Sequence, residues 1–214
     1  MEQILNDLQK RTLAFVGQEE ILSSFYLSGG TALTAYYLRH RISDDLDFFT
    51  QQEIDRLSLH NFIEKLKNLL AAKNVRFERL FDRNLFFFQF DNQELKIEFT
   101  KYPFNQINEP LVENGLKIDS LNDIAANKLM ALLDRFDPKD FVDLFFIMKN
   151  RPLNKIRKDA ENKFSTAIDD IFLGGEFMKV KRIEALPRMI KAITIDELKE
   201  FFISQAKNFS ANIF

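Results

Sequence analysis

The sequence contains no cysteine, few glycines and prolines, and no long apolar run. The absence of cysteine excludes disulfide bonds and thiolate metal sites, and it favours an intracellular, cytoplasmic location. No run of roughly eighteen apolar residues is present, and the chain starts with the polar, acidic segment MEQILND. We therefore expect neither a membrane-spanning helix nor a secretory signal peptide. The net charge of −2 argues against indiscriminate nucleic-acid binding but allows a local basic surface.

The residues that are abundant indicate a folded globular protein. Of the 214 residues, 46% are hydrophobic and 29% are charged, and 24 are phenylalanine. This composition predicts a dense, aromatic-rich core. The length exceeds one average domain and is sufficient for two small lobes that share packing.

The segment 25–50 combines a glycine turn with a pair of acids. Residues 25–27 form a short apolar run that predicts a strand, and Gly29 and Gly30 end it. The segment from Thr31 to about Leu38 has the apolar spacing of a helix, and residues 45–49 again predict a strand. A strand–turn–helix junction leaves backbone N–H groups free at the start of the helix. Such groups can bind an anion such as phosphate.

The second predicted strand places two carboxylates side by side. Side chains alternate across a strand, so Asp45 and Asp47 share one face, while Leu46 and Phe48 share the other. Two neighbouring carboxylates repel each other unless a cation lies between them. A divalent ion that prefers oxygen ligands, such as Mg²⁺, fits this arrangement. Asp44 faces away from the pair, so we expect a structural or solvent-exposed role for it.

These motifs resemble a known enzyme group. Gly29-Gly30-Thr31, thirteen intervening residues and Asp45-Leu46-Asp47 resemble the signature of the DNA polymerase β-type nucleotidyltransferase superfamily. The longer string GGTAL…HRISDDLDFF is similar to the AbiEii/AbiGii-type toxin nucleotidyltransferases of bacteria. A second string over residues 125–144, AANKLMALLDR…KDFVDL, is similar to the same family. The resemblance covers roughly residues 25–148.

The resemblance implies a two-metal nucleotidyltransferase whose metal ligands and catalytic acids are Asp45, Asp47 and a third carboxylate. Glu98 fits the third position by its order and setting, in the alternating run Leu95-Lys96-Ile97-Glu98-Phe99. The alternative is a solvent-facing glutamate paired with a neighbouring lysine. The resemblance also implies a set of nucleotide-binding or cleft residues: Gly29, Gly30, Thr31, Arg41, Ser43, Lys128, Lys139, Asp140 and Asp143. For Lys128 a rim position, and for Asp140 a helix-capping role, are the structural alternatives.

The remaining pattern predicts an α+β fold, with a mixed β-sheet lobe over residues 1–118 and a helical lobe over 119–214. Three strands are predicted at 75–80, 85–90 and 95–100, the second buried on both faces. Residues 102–117 show no sustained apolar periodicity, which predicts a connector between the lobes. Ser120 and Asp137 predict helix starts, and Gly174-Gly175 predicts a helix end. Segment 149–191 has 11 basic and 6 acidic residues, so 11 − 6 gives a local charge of +5.

The predicted function is therefore Mg²⁺-dependent transfer of a nucleoside monophosphate from a nucleoside triphosphate to an acceptor hydroxyl. The resemblance implies a toxin with a separately encoded antitoxin, and it favours the 3′ end of transfer RNA as the acceptor. Two alternatives remain open. One is nucleotidylation of a protein or of a small molecule such as an aminoglycoside. The other is a nucleotide-binding module without turnover.

Overall fold

The computed structural model describes residues 4–210 of the chain. Within this range, seven strands form one mixed sheet in the order β3-β4-β5-β2-β1-β7-β6. The strands are β1 (Tyr26–Ser28), β2 (Leu46–Thr50), β3 (Asn74–Leu80), β4 (Arg83–Gln89), β5 (Glu94–Lys101), β6 (Leu111–Glu113) and β7 (Leu116–Ile118). The central pair β2 and β5 is parallel, whereas β1–β2, β3–β4 and β4–β5 are antiparallel.

The helices lie before, between and after these strands. They are α1 (Asp7–Val16), α2 (Gly29–Ala32), α3 (Arg56–Leu70), α4 (Leu121–Asp134), α5 (Pro138–Met148), α6 (Leu153–Phe164), α7 (Asp170–Met178) and α8 (Ile195–Ser210). Helix α2 continues directly as a π-helix over Leu33–Leu38, which ends at Arg39 in the left-handed region. The predicted helix over 31–38 therefore starts two residues earlier and widens after its first turn. Among residues 4–210, no helix is both long enough and apolar enough to span a membrane.

One face of the sheet is apolar and packs against α3. Phe48 of β2 stacks on Phe99 of β5 with ring centroids 5.1 Å apart, and Phe62 of α3 meets Phe99 edge-on. All three side chains are fully buried. Because side chains alternate along each strand, the acids of β2 and β5 project from the opposite face. The predicted alternation of 45–49 and 95–99 is therefore present in the structure.

The helices after residue 118 pack into the same core as the sheet. One continuous cluster of buried apolar side chains contains Leu46 and Phe99 of the sheet together with Leu129 of α4 and Phe202 of α8. Strand β7 ends at Ile118, and α4 begins at Leu121 after its N-cap, Ser120. The division into domains at residues 118 and 119 remains a prediction.

A late segment of the chain closes over the loop that leads into β2. The backbone N–H of Ile42 donates to the carbonyl of Arg188 at 2.8 Å, and the N–H of Ile190 donates to the carbonyl of His40 at 2.8 Å. From the opposite side, the amide of Gln9 in α1 donates to the carbonyls of Ser43 and Asp44. The loop before the acidic strand is therefore fixed by segments far from it in the sequence.

Three sequence predictions differ from the structure. Segment 102–117 contains β6 and the start of β7, which joins the sheet beside β1. The strand at 85–90 was predicted to be buried on both faces, but Phe87 is only half-buried. Its ring is covered by Arg76, whose Cζ lies 3.9 Å from the ring centroid, and not by a helix. Gly174 and Gly175 lie inside α7 and do not end it. A Cβ atom at position 174 would lie 3.7 Å from the carbonyl oxygen of Ala206, so α7 and α8 pack closely there.

Candidate active site

Three acidic side chains line one side of a cavity between the sheet and helices α4 and α5. Asp47 of β2 lies directly opposite Glu98 of β5 in the parallel register, and Asp45 lies two residues before Asp47 on the same face. The cavity has a volume of about 380 Å³. Its wall includes the three acids, Gly29 and Gly30, Arg41 and Ser43, Arg83 and Lys96, and Lys128, Arg135, Lys139 and Asp140.

The Asp47 carboxylate has a raised pKa. Burial, followed by the nearby charge of Glu98, raises the pKa of Asp47 to about 6, although Lys96 opposes the shift. Within residues 4–210, the Asp47 carboxylate has no hydrogen bond or ion pair. A half-buried carboxylate that faces a second acid and lacks a partner can bind a cation in the cavity.

The backbone of Gly29 lies directly against this carboxylate. Gly29 has a φ of +68°, and a Cβ atom at this position would lie 2.5 Å from Oδ2 of Asp47. A side chain at position 29 would therefore be strained and would displace Asp47. At position 30, a Cβ atom would lie 2.5 Å from Nη2 of Arg41 and 2.9 Å from Oγ of Ser43. The two glycines are required by close approach to the acid and to the loop after the π-helix.

Glu98 is held by cationic side chains of the protein itself. Nε and Nη2 of Arg83 donate to the two carboxylate oxygens at 2.7 Å each, and the Thr100 hydroxyl donates to Oε1 at 2.7 Å. Lys96 Nζ lies 3.2 Å from Oδ2 of Asp45 and 3.9 Å from Oε2 of Glu98. Burial alone would raise the pKa of Glu98, but the bonds from Arg83 and Thr100 outweigh it and lower the pKa.

Sequence reasoning missed Arg83 and gave Lys96 only as a generic lysine partner. Arg83 lies opposite Thr100 in the β4–β5 register, and Thr100 is two residues from Glu98 on the same face. The only signal in the sequence was the period-two pattern of the two strands, which becomes informative once their register is known.

Two of the predicted nucleotide-binding residues do not reach the cavity. The side chain of Thr31 is fully buried, and its hydroxyl donates to the backbone carbonyl of Asp45, so it fixes the acidic strand. Asp143 is also fully buried, and its carboxylate binds Arg41 through Nε at 2.7 Å and Nη2 at 2.9 Å. The prediction that Asp143 borders the cleft is therefore wrong, and the hydroxyl of Thr31 is not available to a phosphate. The backbone N–H of Thr31 remains a predicted donor.

Asp143 is the centre of a buried charge network behind the cavity wall. Besides Arg41, it binds Nε2 of His40 at 2.7 Å and Nζ of Lys128 at 2.7 Å. Burial would raise the pKa of Asp143, but the charges of Lys128 and Arg41 hold it well below the ordinary value. The network joins the loop before β2 to α4 and α5, and so connects the acidic strand to the helices across the cavity.

Lys128 and Asp140 occur as a pair and not as isolated site residues. Lys128 Nζ lies 2.9 Å from Oδ1 of Asp140, while Arg135 Nε donates to Oδ2 at 3.0 Å. Burial opposes the charge of Lys128, but Asp143 and Asp140 outweigh it and raise the pKa. The helix-capping alternative for the Asp140 carboxylate is wrong, because its two oxygens accept from Lys128 and Arg135. Asp137 caps α5 as predicted, by accepting from the backbone N–H of Lys139. Lys139 itself is exposed at the cavity rim.

The carboxylates of Asp45 and Asp47 are suitable ligands for a divalent cation. The carboxylate of Glu98 is suitable only in part. No group of three or more potential ligand side chains is arranged around a common metal position within residues 4–210. Glu98 does not complete such a group, because its oxygens accept hydrogen bonds from Arg83 and Thr100. The Asp47 carboxylate, in contrast, is unpaired and opens into the cavity beside Asp45. Carboxylate oxygens are suitable ligands for Mg²⁺.

Comparison with known proteins places this site in a family. The model of the nucleotidyl transferase AbiEii toxin of type IV toxin–antitoxin systems matches residues 14–210. The chain belongs to the AbiEii family. The matched range contains every residue of the cavity wall, and it confirms the resemblance found in the sequence.

Relatives of this AbiEii-family protein cover nearly its whole length. An uncharacterized protein of Aquifex aeolicus is 30% identical over 210 residues, which is 95% of this chain and 97% of that protein. A putative nucleotidyltransferase from Helicobacter pylori has a TM-score of 0.63 at 19% identity, over 97% of both chains. MenT4, a nucleotidyltransferase toxin of Mycobacterium tuberculosis, has a TM-score of 0.54 at 12% identity, over 97% of this chain and 86% of that one. These structures confirm the predicted α+β nucleotidyltransferase fold.

Proposed function

We propose that this AbiEii-family protein transfers a nucleoside monophosphate from a nucleoside triphosphate to an acceptor hydroxyl, with Mg²⁺ held by Asp45, Asp47 and Glu98. The observation that carries the proposal is the direct register of Asp47 and Glu98 on neighbouring parallel strands, beside the close backbone of Gly29. A magnesium ion held there would supply a lower pKa for the acceptor hydroxyl and positive charge for the triphosphate and its leaving group. The roles of the other residues follow from their contacts.

The cavity wall is built to hold an anionic substrate close to the acids. Gly29 and Gly30 line the cavity, and backbone N–H groups of this turn are the donors we propose for a phosphate group. Arg41 and Lys128 also line the cavity, but Asp143 binds both, so their role is to fix the wall. The attacking hydroxyl must lie in line with the α-phosphorus, which requires such rigid walls.

The helical side of the cavity offers an exposed cation to a phosphate-bearing acceptor. Arg135 and Lys139 line the cavity at the junction of α4 and α5, together with Asp134, Asp137 and Asp140. Arg135 is bound to Asp140, whereas Lys139 is exposed at the rim. Phosphate contacts by Arg and Lys are the main source of nucleic-acid affinity. Lys139 and the family favour RNA, with the 3′ end of transfer RNA as the preferred acceptor and a separately encoded antitoxin as a partner.

The test is a transfer assay with a matched control. The protein is incubated with Mg²⁺ and each of the four nucleoside triphosphates labelled at the α-phosphate, in the presence of transfer RNA, total RNA, total protein or an aminoglycoside. We expect label in transfer RNA, its loss with Asp47→Asn, and its retention with Asp44→Asn, since Asp44 is exposed and pairs with Arg188. Label in protein or aminoglycoside alone would identify a different acceptor. No label in any fraction would favour a nucleotide-binding module.

A further inference from the structure

Arg83 forms an ion pair with Glu98, one of the three carboxylates that we propose as metal ligands. Its guanidinium forms two parallel hydrogen bonds of 2.7 Å with Glu98, the geometry in which arginine binds carboxylate and phosphate most specifically. Glu98 is only 5% exposed, whereas 47% of the Arg83 side chain is exposed. The pair therefore joins a fixed acid to a cation at the cavity surface.

We propose that Arg83 is an exchangeable ligand of Glu98, which competes with the divalent cation in the free protein and binds an anionic phosphate of the substrate after the cation has displaced it. The inference rests on the proposed function, since it assigns a role to a residue beside the proposed metal ligands. It makes Arg83 a positioning residue that links occupation of the acidic site to binding of the phosphates.

The surroundings of Arg83 support exchange and not a permanent structural pair. Arg83 is the first residue of β4 and follows the exposed turn at Phe81 and Asp82, so its side chain can leave Glu98 without disturbing the core. Within residues 4–210, its hydrogen bonds to side chains are those to Glu98. The permanent ion pairs behind the cavity differ in burial, because both partners of the Lys128–Asp140 pair are at most 10% exposed.

Lys96 is the other cation among the three acids, and its position distinguishes it from Arg83. Its ammonium lies 3.2 Å from Asp45 and 3.9 Å from Glu98, and its side chain is 25% exposed. Lys96 bridges two acids without taking both oxygens of either. When no divalent cation is bound, the charge of Glu98 is therefore neutralised mainly by Arg83. Two cationic side chains, Arg83 and Lys96, lie among the three carboxylates.

The exchange predicts opposite effects of one substitution on two ligands. In Arg83→Gln, Glu98 is free for the cation, so we expect Mn²⁺ to bind about three- to tenfold more tightly than to the wild type, the range expected for a partly exposed ion pair. In the presence of Mg²⁺, inorganic tripolyphosphate should bind the same variant at least about threefold more weakly, because a bidentate phosphate contact is lost. The loss of a positive charge alone shifts both affinities in the same directions, so a variant that keeps the charge of Arg83 is measured beside it.

The measurements are isothermal titrations of Mn²⁺, and of tripolyphosphate with Mg²⁺, into the full chain. Arg79→Gln is the matched control, because Arg79 lies on the same hairpin and, within residues 4–210, its side chain donates only to the carbonyl of Phe81. Arg83→Lys keeps the charge without the fork and should give intermediate values. Thermal melting checks that each variant is folded.

The outcomes separate this inference from the proposed function. Equal binding of Mn²⁺ by the wild type and Asp47→Asn would reject the proposed metal site itself. If Asp47→Asn loses Mn²⁺ binding while Arg83→Gln binds Mn²⁺ as the wild type does or more weakly, the exchange is rejected and the metal site stands. Tighter Mn²⁺ binding with unchanged tripolyphosphate affinity would reject Arg83 as the phosphate ligand.

Discussion

Replacing Asp47 by asparagine should make the metal-free protein more stable at neutral pH while removing the proposed activity. Burial and the charge of Glu98 raise the pKa of Asp47 from 3.8 to about 6. The folded protein therefore holds the proton of this group more tightly than the unfolded chain does, and ionisation destabilises the fold. Asparagine keeps the size of the side chain and removes the charge.

The size of the effect follows from the two pKa values. The cost of ionised Asp47 is absent below pH 3.8, increases as the pH rises, and is complete above about pH 6. The difference between 3.8 and about 6 corresponds to about 3 kcal/mol at about 1.36 kcal/mol per pKa unit. The N–H groups of the new amide need hydrogen-bond partners, which offsets part of this gain. We therefore expect the free energy of unfolding to increase by about 1–3 kcal/mol at pH 8.

The assay is urea denaturation followed by circular dichroism, in EDTA, at several pH values between about 4 and 8. The difference between Asp47→Asn and the wild type should be small at the acidic end and increase up to about pH 6. Asp82→Asn, at an exposed turn, is the control and should show no such dependence. A variant less stable than the wild type at pH 8, or a difference independent of pH, would refute the reasoning.

Two further substitutions test the packing at and behind the cavity wall, and a third is a control in α7. Gly29→Ala should lower stability by about 1–2 kcal/mol or more, because φ is +68° and the new Cβ meets Asp47. Gly175→Ala, where nothing lies within 4 Å of an added Cβ, should instead raise stability by about 0.5–1 kcal/mol. Thermal melting of the two variants measures both signs, and a stable Gly29→Ala protein would contradict the close-approach argument. Asp143→Asn should cost about 3–5 kcal/mol in urea denaturation at pH 7, because it leaves Arg41 and Lys128 buried without their shared anion. Since the pKa of Asp143 is lowered on folding, this contribution should be lost as the pH falls below the ordinary aspartate range; a loss close to zero at pH 7 would show that water replaces the carboxylate.

Local patterns were sufficient to predict the acidic face. Alternation along a strand places Asp45 and Asp47 together, and the same rule places Glu98 on the polar side of its strand. The capping residues Ser120 and Asp137 also predicted the starts of α4 and α5. The fold class and the family were predicted correctly because these motifs lie in the segments that form the central strands.

The partners of these residues could not be predicted, because they depend on register and packing. Arg83 reaches Glu98 only because β4 pairs with β5 in one particular alignment. The spacing of Lys128 and Asp143 indicates neither that both are buried nor that they meet across two helices. Strand β7 has three residues, too few for a pattern. The helix end predicted at Gly174 was wrong, because both glycines have helical backbone inside α7 and glycine is only a weak signal for a helix end.

The hydrogen bonds between the segment 188–191 and the loop at residues 40–42 have a consequence for synthesis of the chain. A ribosome makes the acidic strand early, but the partners of the loop that leads into it lie almost 150 residues later: Arg188 lies 144 residues from Asp44, with which it pairs. Until that late segment has left the exit tunnel, His40 and Ile42 lack the backbone partners that fix the entrance to β2. A nascent chain therefore carries its acids on a strand whose leading loop lacks these partners for most of translation.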